Sequence, residues 1–381
     1  MRASGDKRIE EGHMRRVLAL AARARGRTAP NPMVGAVVAR GRIVVGVGYH
    51  ARAGAPHAEA VALARAGAKA RGATLYVNLE PCCHHGRTPP CTDAILAAGV
   101  SEVVASMRDP DPRVDGRGFR ELLAAGVKVR VGTLKKEAER LNQAFVQFRR
   151  TRRPFVTLKA GMSLDGRIAT RGGESRWITS AASRAAARRL RAAHQAVLVG
   201  VGTVLADDPA LSAPRAARLS GSAGAAGPAR IVLDSRLRMS PAARLLRAPG
   251  GPVLVLAGRG APAERRRRLE RAGAVVIEVA TRAGRVDLKA AIRELGRRGL
   301  ATVLIEGGGE VLGAALDAGI GDRVALFVAP RLLGGRDARP AFGGGGVARL
   351  ADAARLHEAR PRRIGTDWMI EARLRHGRRR G

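Results

Sequence analysis

Residues 79–91 read LEPCCHHGRTPPC and contain all three cysteines of the 381-residue chain. They include the end of a short apolar run of strand type, and Cys91 opens a segment that is predicted to be helical. Upstream, His57-Ala58-Glu59 opens another segment with helical spacing of apolar residues. His57, Cys82 and Cys91 supply one imidazole and two thiolates, which are ligands that zinc prefers, and three such ligands leave a tetrahedral position open. The pattern predicts a catalytic zinc site in an α/β framework.

Glu59 lies two residues after a predicted ligand and is not needed as a ligand itself. Zinc lowers the pKa of a bound water to about 7, so hydroxide is available at neutral pH. Glu59 is then placed to take a proton from that water and to deliver it to a leaving amine. A structural zinc site is the alternative, in which Cys83, His84 or His85 would supply a fourth ligand. The carboxylate at position 59 favours the catalytic interpretation.

Strands alternate with helices in the first part of the chain, which predicts a three-layer α/β/α sandwich. The predicted helices and strands are, in chain order, helix 14–25, strands 34–38 and 42–48, helix 57–70, strand 73–79, helix 91–98, strand 100–106, helix 119–125 and strand 127–131. Arg40-Gly41 joins the first two strands as a hairpin. A charged stretch, 135–153, follows, and we expect a domain boundary near it, with the first domain at 1–150.

A second α/β pattern fills 151–381 and predicts a second domain. Its expected strands are 155–160, 196–201, 230–234, 253–257, 275–279, 302–305, 323–329 and 367–374, of which the last closes the sheet. Its expected helices are 181–193, 263–272, 288–297 and 310–318. Residues 213–229 are rich in Ala, Gly, Ser, Pro and Arg and lack periodicity, which indicates a surface loop.

Composition excludes several classes of protein. Apolar residues make up 46% of the chain and aromatic residues 3%, which indicates cores built from Ala, Val and Leu. No apolar run approaches the roughly 18 residues of a membrane span. Residues 1–13 lack the apolar run of an export signal. We therefore expect neither a membrane protein nor an exported one, and the clustered cysteines favour a reducing, cytoplasmic location.

The formal net charge of +37 suggests a nucleic-acid partner at first sight. However, the excess is spread over both halves of the chain, and only seven of the 69 basic residues are lysine. A coding bias towards arginine at solvated positions accounts for both observations. We expect no nucleic-acid partner, although anionic small ligands would be attracted.

The first half resembles the zinc-dependent nucleobase deaminases, whose pattern is His-x-Glu followed by Pro-Cys-x-x-Cys. Here eight residues rather than two separate Cys82 from Cys91. With that spacing, segment 79–91 is similar to the deaminase half of the bifunctional pyrimidine deaminase and uracil reductase family of riboflavin biosynthesis. Asn31-Pro32-Met33-Val34-Gly35 and His50 also fit that family.

This resemblance implies a cytidine-deaminase-like fold for the first domain. It implies zinc on the three predicted ligands, Glu59 as the catalytic residue and Asn31 in contact with the pyrimidine. Cys83 stands where the family often has Ser or Ala, and we expect it to be a small buried filler rather than a ligand.

The second half is similar to the reductase domain of the same family, which has a dihydrofolate-reductase-like fold. Four segments in the family's order carry the similarity: LKAGMSLDGR at 158–167, GGESRWITS at 172–180, GTVLADDPAL at 202–211 and IEGGGEVLG at 305–313. The last is also informative by itself, because three glycines before a helix let backbone N–H groups approach a phosphate. The resemblance implies NADPH as the cofactor.

The resemblance also assigns residues to the two ligands of this domain. NADPH is expected to contact Gly161, Trp177, Thr203, Asp207, Ser235, Gly308, Gly309, Glu310, Val311, Leu312, Gly313 and Ala314. The substrate is expected to contact Ser175, Arg191, Leu211, Arg215 and Glu306. Pro214 occupies the place of the family's phosphate-binding arginine, and Arg215 follows it. Trp177 as a core residue is the alternative, and Lys159 is expected to help polarise the sugar carbon.

Together the two halves imply a two-step enzyme that acts on a phosphorylated pyrimidine. The first domain would deaminate 2,5-diamino-6-ribosylamino-4(3H)-pyrimidinone 5′-phosphate, and the second would reduce the ribosyl side chain with NADPH to give 5-amino-6-(5-phosphoribitylamino)uracil. A homo-oligomer formed through the reductase domain is expected, because that domain of the family commonly pairs. A tRNA deaminase and a basic RNA-binding protein with structural zinc are the alternatives. Neither explains both the long Cys82–Cys91 spacing and the reductase-like half.

Overall fold

The computed structural model describes residues 2–84, 89–213 and 227–376. The chain forms two compact units, one built mainly from residues 1–152 and the other mainly from residues 153–381. Arg215 and most of the predicted 213–229 loop lie outside the described residues, so these two expectations stay predictions.

The described part of the first unit alternates helices and strands as expected. Its elements are α1 (Arg2–Ala22), β1 (Gly35–Arg40), β2 (Ile43–Tyr49), α2 (Ala58–Ala66), β3 (Thr74–Val77), α3 (Cys91–Ala97), β4 (Glu102–Ala105), α4 (Arg117–Ala124), β5 (Lys128–Val131), α5 (Lys135–Leu141) and α6 (Gln143–Thr151). A single 3-10 turn, Gly67–Ala70, extends α2. The first helix starts earlier than predicted, and α5 and α6 occupy the charged stretch in which no element was predicted.

The first unit's five-stranded sheet has the order β2-β1-β3-β4-β5. The predicted hairpin is confirmed, since β1 and β2 pair antiparallel, while β3, β4 and β5 run parallel. Alternate strand residues face opposite sides: Val38 and Leu75 pack with α2 and α3, whereas Val37 and Tyr76 pack with α1. The predicted three-layer sandwich is confirmed.

Two glycines of β2 allow α2 to lie very close to the sheet. A Cβ atom at Gly46 would overlap the carbonyl oxygen of Ala62, and one at Gly48 would overlap that of Ala58. Since α2 begins directly after His57, this close packing sets the position of His57 and Glu59 over the sheet.

The second unit has its own alternation of strands and helices. Its elements are β6 (Phe155–Ser163), β7 (Arg167–Ala169), α7 (Ala181–Ala192), β8 (Ala196–Gly200), α8 (Val201–Asp207), β9 (Ala229–Leu233), α9 (Arg244–Arg247), β10 (Val253–Gly258), α10 (Ala263–Arg271), β11 (Ala274–Val279), β12 (Thr281–Arg282), β13 (Arg285–Val286), α11 (Leu288–Arg297), β14 (Thr302–Gly307), α12 (Gly309–Asp317), β15 (Arg323–Ala329), β16 (Arg339–Pro340), β17 (Arg355–Ile364) and β18 (Asp367–Arg375).

Nine of these strands form a mixed sheet in the order β11-β10-β9-β8-β14-β6-β15-β18-β17. The expectation that the last strand closes the sheet is wrong, because β17 pairs outside β18 and forms the edge. Nine of the ten residues of β17 are exposed, so this strand carries no pattern of alternating burial. Its main-chain hydrogen bonds to β18 hold it in place without a buried face.

Candidate metal centre and reductase pocket

Three predicted ligands converge in the first unit. His57 precedes α2, Cys82 follows β3 and Cys91 is the first residue of α3, and their ligand atoms all lie within 4.8 Å of one another. His57 Nδ1 lies 3.2 Å from Cys91 Sγ and 3.5 Å from Cys82 Sγ. Among the described residues this is the one such cluster with three potential ligands. Cys83 is half-buried and stands outside it; His85 is not described.

The pKa values of the cluster's thiols are shifted by hydrogen bonds within the cluster, which favours binding of a cation. The Cys91 thiol and then the His57 ring hydrogen-bond to the Cys82 sulfur, and these bonds lower the pKa of Cys82 to about 4 against the effect of burial. The same bonding raises the pKa of Cys91 and of His57. The lowered pKa of Cys82 favours its thiolate form, and this partly buried set of two sulfurs and one nitrogen fits zinc.

Glu59 lies in the first turn of α2 beside this cluster and is buried, with 4% of its surface exposed. Burial and the Cys82 charge raise the pKa of Glu59 to about 7. A carboxyl group with a pKa near neutrality can accept and donate a proton at physiological pH.

His50 connects Asn31 to the metal cluster. The His50 and His57 rings meet edge to face with their centroids 5.5 Å apart. His50 Nδ1 lies 3.1 Å from the Pro56 carbonyl oxygen, and its Nε2 lies 3.4 Å from Asn31 Nδ2. With Nδ1 as the donor to Pro56, Nε2 is left to accept from Asn31. The structure thus brings Asn31 to the same side of the first unit as the ligands.

Two asparagines that sequence reasoning missed hold the segment around Met33. Asn142 accepts a hydrogen bond from the Met33 N–H at 2.8 Å and donates one to the Met33 carbonyl at 2.9 Å. Asn78 donates to the same carbonyl at 2.9 Å and accepts from the Gly35 N–H at 2.8 Å. Both asparagines are fully buried or nearly so. A buried amide that binds the main chain from a distant element gives no local sequence signal.

Sequence reasoning also missed a group of carboxylates at the edge of the sheet where the chain continues from β3 to Cys82. Glu80 accepts hydrogen bonds from the N–H groups of Asp109, Gly116 and Phe119. Asp109 follows β4, the parallel neighbour of β3, and burial raises its pKa to about 7. The two carboxylates meet because β3 and β4 run parallel, so the segments that follow both strands lie at the same edge of the sheet.

A cavity of about 950 Å³ opens within the second unit, between β6, α7, α8 and the start of α12. It is lined by thirteen of the predicted ligand-binding residues, namely Gly161, Ser175, Trp177, Arg191, Thr203, Asp207, Leu211, Glu306, Gly308, Gly309, Glu310, Val311 and Leu312. Ser235, Gly313 and Ala314 do not line it. Trp177 is 62% exposed and is therefore not a core residue.

Gly313 and Ser235 have other contacts. A Cβ atom at Gly313 would overlap the carbonyl oxygen of Gly343, so this glycine lets the segment around Gly343 pack on α12. The Ser235 hydroxyl accepts a hydrogen bond from the Val286 N–H at 2.9 Å and so joins the end of β9 to β13.

A buried ionic group lies in the cavity wall. Arg191 donates to both carboxylate oxygens of Glu306, at 3.1 and 2.6 Å, and to the Ser212 carbonyl at 2.7 Å. Burial opposes ionisation of Glu306, but Arg191 and Lys159 outweigh it and hold the pKa of Glu306 below its usual value. Burial lowers the pKa of Lys159. The cavity therefore contains a fixed carboxylate beside a lysine that can lose a proton more easily than an exposed one.

The start of α12 suits a nucleotide phosphate. Gly308 has a φ of 73°, and a Cβ atom there would lie 3.3 Å from Thr203 Oγ1. The glycines thus let the chain turn sharply and leave the first N–H groups of α12 accessible from the cavity. These residues fit the phosphates of NADPH.

Family models match both units. A model of the cytidine and deoxycytidylate deaminase zinc-binding region matches residues 7–107, and a model of the RibD C-terminal domain matches residues 154–370. A zinc-type deaminase region followed by a reductase domain defines a bifunctional deaminase and reductase. Riboflavin biosynthesis protein RibD of Escherichia coli (strain K12) is 43% identical over 364 residues, which cover 94% of this chain and 97% of that protein. The chain belongs to the RibD family of riboflavin biosynthesis proteins.

Solved structures agree over nearly the whole chain. Acinetobacter baumannii RibD, form 1, is 36% identical with a TM-score of 0.85 and covers 97% of this chain and 100% of that one. A Thermotoga maritima diaminohydroxyphosphoribosylaminopyrimidine deaminase/5-amino-6-(5-phosphoribosylamino)uracil reductase is 33% identical with a TM-score of 0.81, covering 97% and 99%. The expected α/β fold, with a cytidine-deaminase-like domain followed by the reductase domain of the RibD family, is confirmed. The tRNA deaminase alternative is not favoured, since it leaves the reductase domain unexplained.

Zinc and NADPH are the groups that these two domains use. Among the described residues, no helix combines the length and apolarity needed to cross a membrane.

Proposed function

We propose that residues 1–150 deaminate 2,5-diamino-6-ribosylamino-4(3H)-pyrimidinone 5′-phosphate and that residues 151–381 reduce the product with NADPH. The observation that carries the proposal is the convergence of His57, Cys82 and Cys91 beside a buried Glu59. The Thermotoga maritima relative's name contains both activities, which supports the same substrate class for this chain.

In the first step, His57, Cys82 and Cys91 would hold zinc, which when bound activates water as a Lewis acid. Glu59 accepts a proton from the attacking water and returns it to the departing nitrogen, so that water enters and ammonia leaves. Burial keeps the Glu59 carboxyl near the pKa that both transfers need. Asn31, fixed through His50 and the Met33 segment, donates to the pyrimidine.

In the second step, NADPH supplies the hydride. The start of α12 would hold the cofactor phosphates, and Trp177, Thr203 and Asp207 line the same cavity. Lys159 lies beside the Glu306 carboxylate and donates to the sugar as C1 accepts the hydride and the ring oxygen accepts a proton. The ribosyl ring opens to ribityl, and no other reductant is needed.

Glu59→Gln and Lys159→Met separate the two activities. Glu59→Gln is expected to lower ammonia release by 10²-fold or more and to retain bound zinc, while NADPH oxidation on the deaminated pyrimidine stays within twofold of wild type. Lys159→Met is expected to give the reverse result. A folded Glu59→Gln protein that lost both activities would contradict the division of labour.

We also propose that the chain forms a homo-oligomer through the second unit. We propose the cytoplasm as its location. At its exposed sheet edge, Leu356 and Trp368 are 45% and 48% exposed, which supports a contact there. Light scattering on purified protein tests the oligomer, and a monomer at micromolar concentration would exclude it. Fractionation of the cells tests the location.

A further inference from the structure

Within residues 153–213 and 227–376, the phosphate of the reductase substrate has no obvious binding residue, and Arg215 lies outside these described ranges. Arg191, one of the residues expected to contact the substrate, already donates to both oxygens of the buried Glu306 and to Ser212. A guanidinium that binds one carboxylate bidentately has its planar fork occupied and cannot bind a second anion in the same way. Pro214 stands where the resemblance places an arginine.

Seven cationic side chains line the cavity of the second unit, against four carboxylates. Most of the cations already have a partner or a place near the cofactor. Arg184 donates to the Thr179 carbonyl at 2.6 Å and stacks on Trp177 at 4.4 Å. Arg176 lies 3.7 Å from the Asp207 carboxylate. Arg339 directly precedes Pro340, whose carbonyl packs on Gly309 at the start of α12.

Lys159 interacts with the Glu306 carboxylate, so Arg188 and Arg244 are the two cations that remain. Both are exposed and line the cavity, and in the described part of the chain neither guanidinium has a hydrogen bond or an ion pair. Arg188 lies one turn before Arg191 on α7, so the two share a helix face. Arg244 is the first residue of α9, and its N–H donates to the Asp208 carboxylate at 2.8 Å.

The segment between these arginines is part of the same wall. Residues 208–212 all line the cavity, and Ser212 accepts a hydrogen bond from Arg191. Asp208 thus ties α9 to one end of this segment, while Ser212 ties its other end to α7. Leu211, an expected substrate contact, lies within it.

We infer that Arg188 of α7 and Arg244 of α9 bind the 5′-phosphate of the reductase substrate, in place of an arginine at position 214. The inference rests on the proposed function, because it takes a phosphorylated substrate in this cavity as given. Two free guanidinium groups match the double charge of a phosphate monoester, and Arg191 stays with Glu306 beside Lys159.

Arg188→Gln, Arg244→Gln and the double variant test the inference by NADPH oxidation on the deaminated pyrimidine. Each single substitution is expected to raise the KM for the phosphorylated substrate about 10-fold, the lower end of what a charged hydrogen bond contributes. The kcat and the KM for NADPH should stay within twofold. Arg189→Gln is the matched control, since Arg189 is exposed on the same helix and does not line the cavity.

Ribose 5-phosphate binding, measured by calorimetry, adds a readout that needs no turnover. Wild type and Arg189→Gln should bind it, and the double variant should bind at least 10-fold more weakly. A wild type that binds ribose 5-phosphate but oxidises no NADPH would overturn the proposed function alone. Unchanged substrate KM in the double variant, a rise in the KM for NADPH instead, or no binding of ribose 5-phosphate by wild type would overturn the inference.

Discussion

Replacement of Arg230 by methionine should destabilise the second unit alone. Arg230 is 4% exposed, and its guanidinium donates four hydrogen bonds to the carbonyl oxygens of Gly251, Leu245 and Ala248, at 2.6 to 3.1 Å. It thereby fastens the segment that carries α9 to the start of β9. Methionine fills most of the space but offers no donor.

The size of the stability loss follows from the three carbonyl groups that lose the Arg230 guanidinium as their hydrogen-bond donor. Each unsatisfied buried acceptor costs roughly 1–3 kcal/mol. Removal of a buried cation, whose pKa burial lowers, offsets part of this loss. A net loss of about 3 kcal/mol in the free energy of unfolding is expected, which corresponds to a Tm shift of roughly 6–12 °C for a domain of this size.

Differential scanning calorimetry measures this change. Added zinc should raise the Tm of the first unit and added NADPH that of the second, so each ligand identifies the transition of its unit. Only the transition that NADPH raises should move in Arg230→Met. Arg238→Met is the control, because Arg238 is exposed and lies near the same strand. A loss below 1 kcal/mol, or an equal loss in the control, would refute the role given to these hydrogen bonds.

Two further substitutions test individual contacts. Burial raises the pKa of Asp109 to about 7, whereas the same carboxyl in the unfolded chain releases its proton near pH 4. The free energy of unfolding therefore falls as the pH rises from about 4 to about 7. Asp109→Asn should remove this pH dependence and raise the free energy of unfolding at pH 8 by up to about 4 kcal/mol. Urea unfolding at pH 5 and pH 8 measures both effects, and an unchanged pH dependence would contradict the prediction. Gly313→Ala should raise the KM for NADPH by about 10-fold with little effect on kcat, since its methyl group would push the Gly343 segment off α12; an unchanged KM would show that this packing does not position α12.

Local patterns were sufficient to predict most elements of both sheets. The hairpin from Gly35 to Tyr49 and the helix Leu288–Arg297 follow directly from alternation and helical spacing, because a buried face imposes its period on the residues that form it. The cluster of His57, Cys82 and Cys91 was also predictable, since residue types and spacing of this kind are specific to zinc chemistry.

The missed features depend on distant contacts. The many charged residues of α5 and α6 obscured the helical pattern of their apolar residues. Ala138, Phe145 and Phe148 are buried in the first unit. The edge strand β17 has no buried face, so only its pairing with β18 defines it. Asp109 approaches Glu80 because β3 and β4 run parallel, and that register cannot be obtained from either strand's sequence alone.

Zinc content, measured by mass spectrometry on protein purified without chelators, tests the metal centre most directly. Wild type and Glu59→Gln should each contain one zinc ion per chain, whereas Cys91→Ser should contain far less because one of three ligands is lost. Absence of zinc from folded wild type, or full zinc content in Cys91→Ser, would contradict the assignment of His57, Cys82 and Cys91 as its ligands.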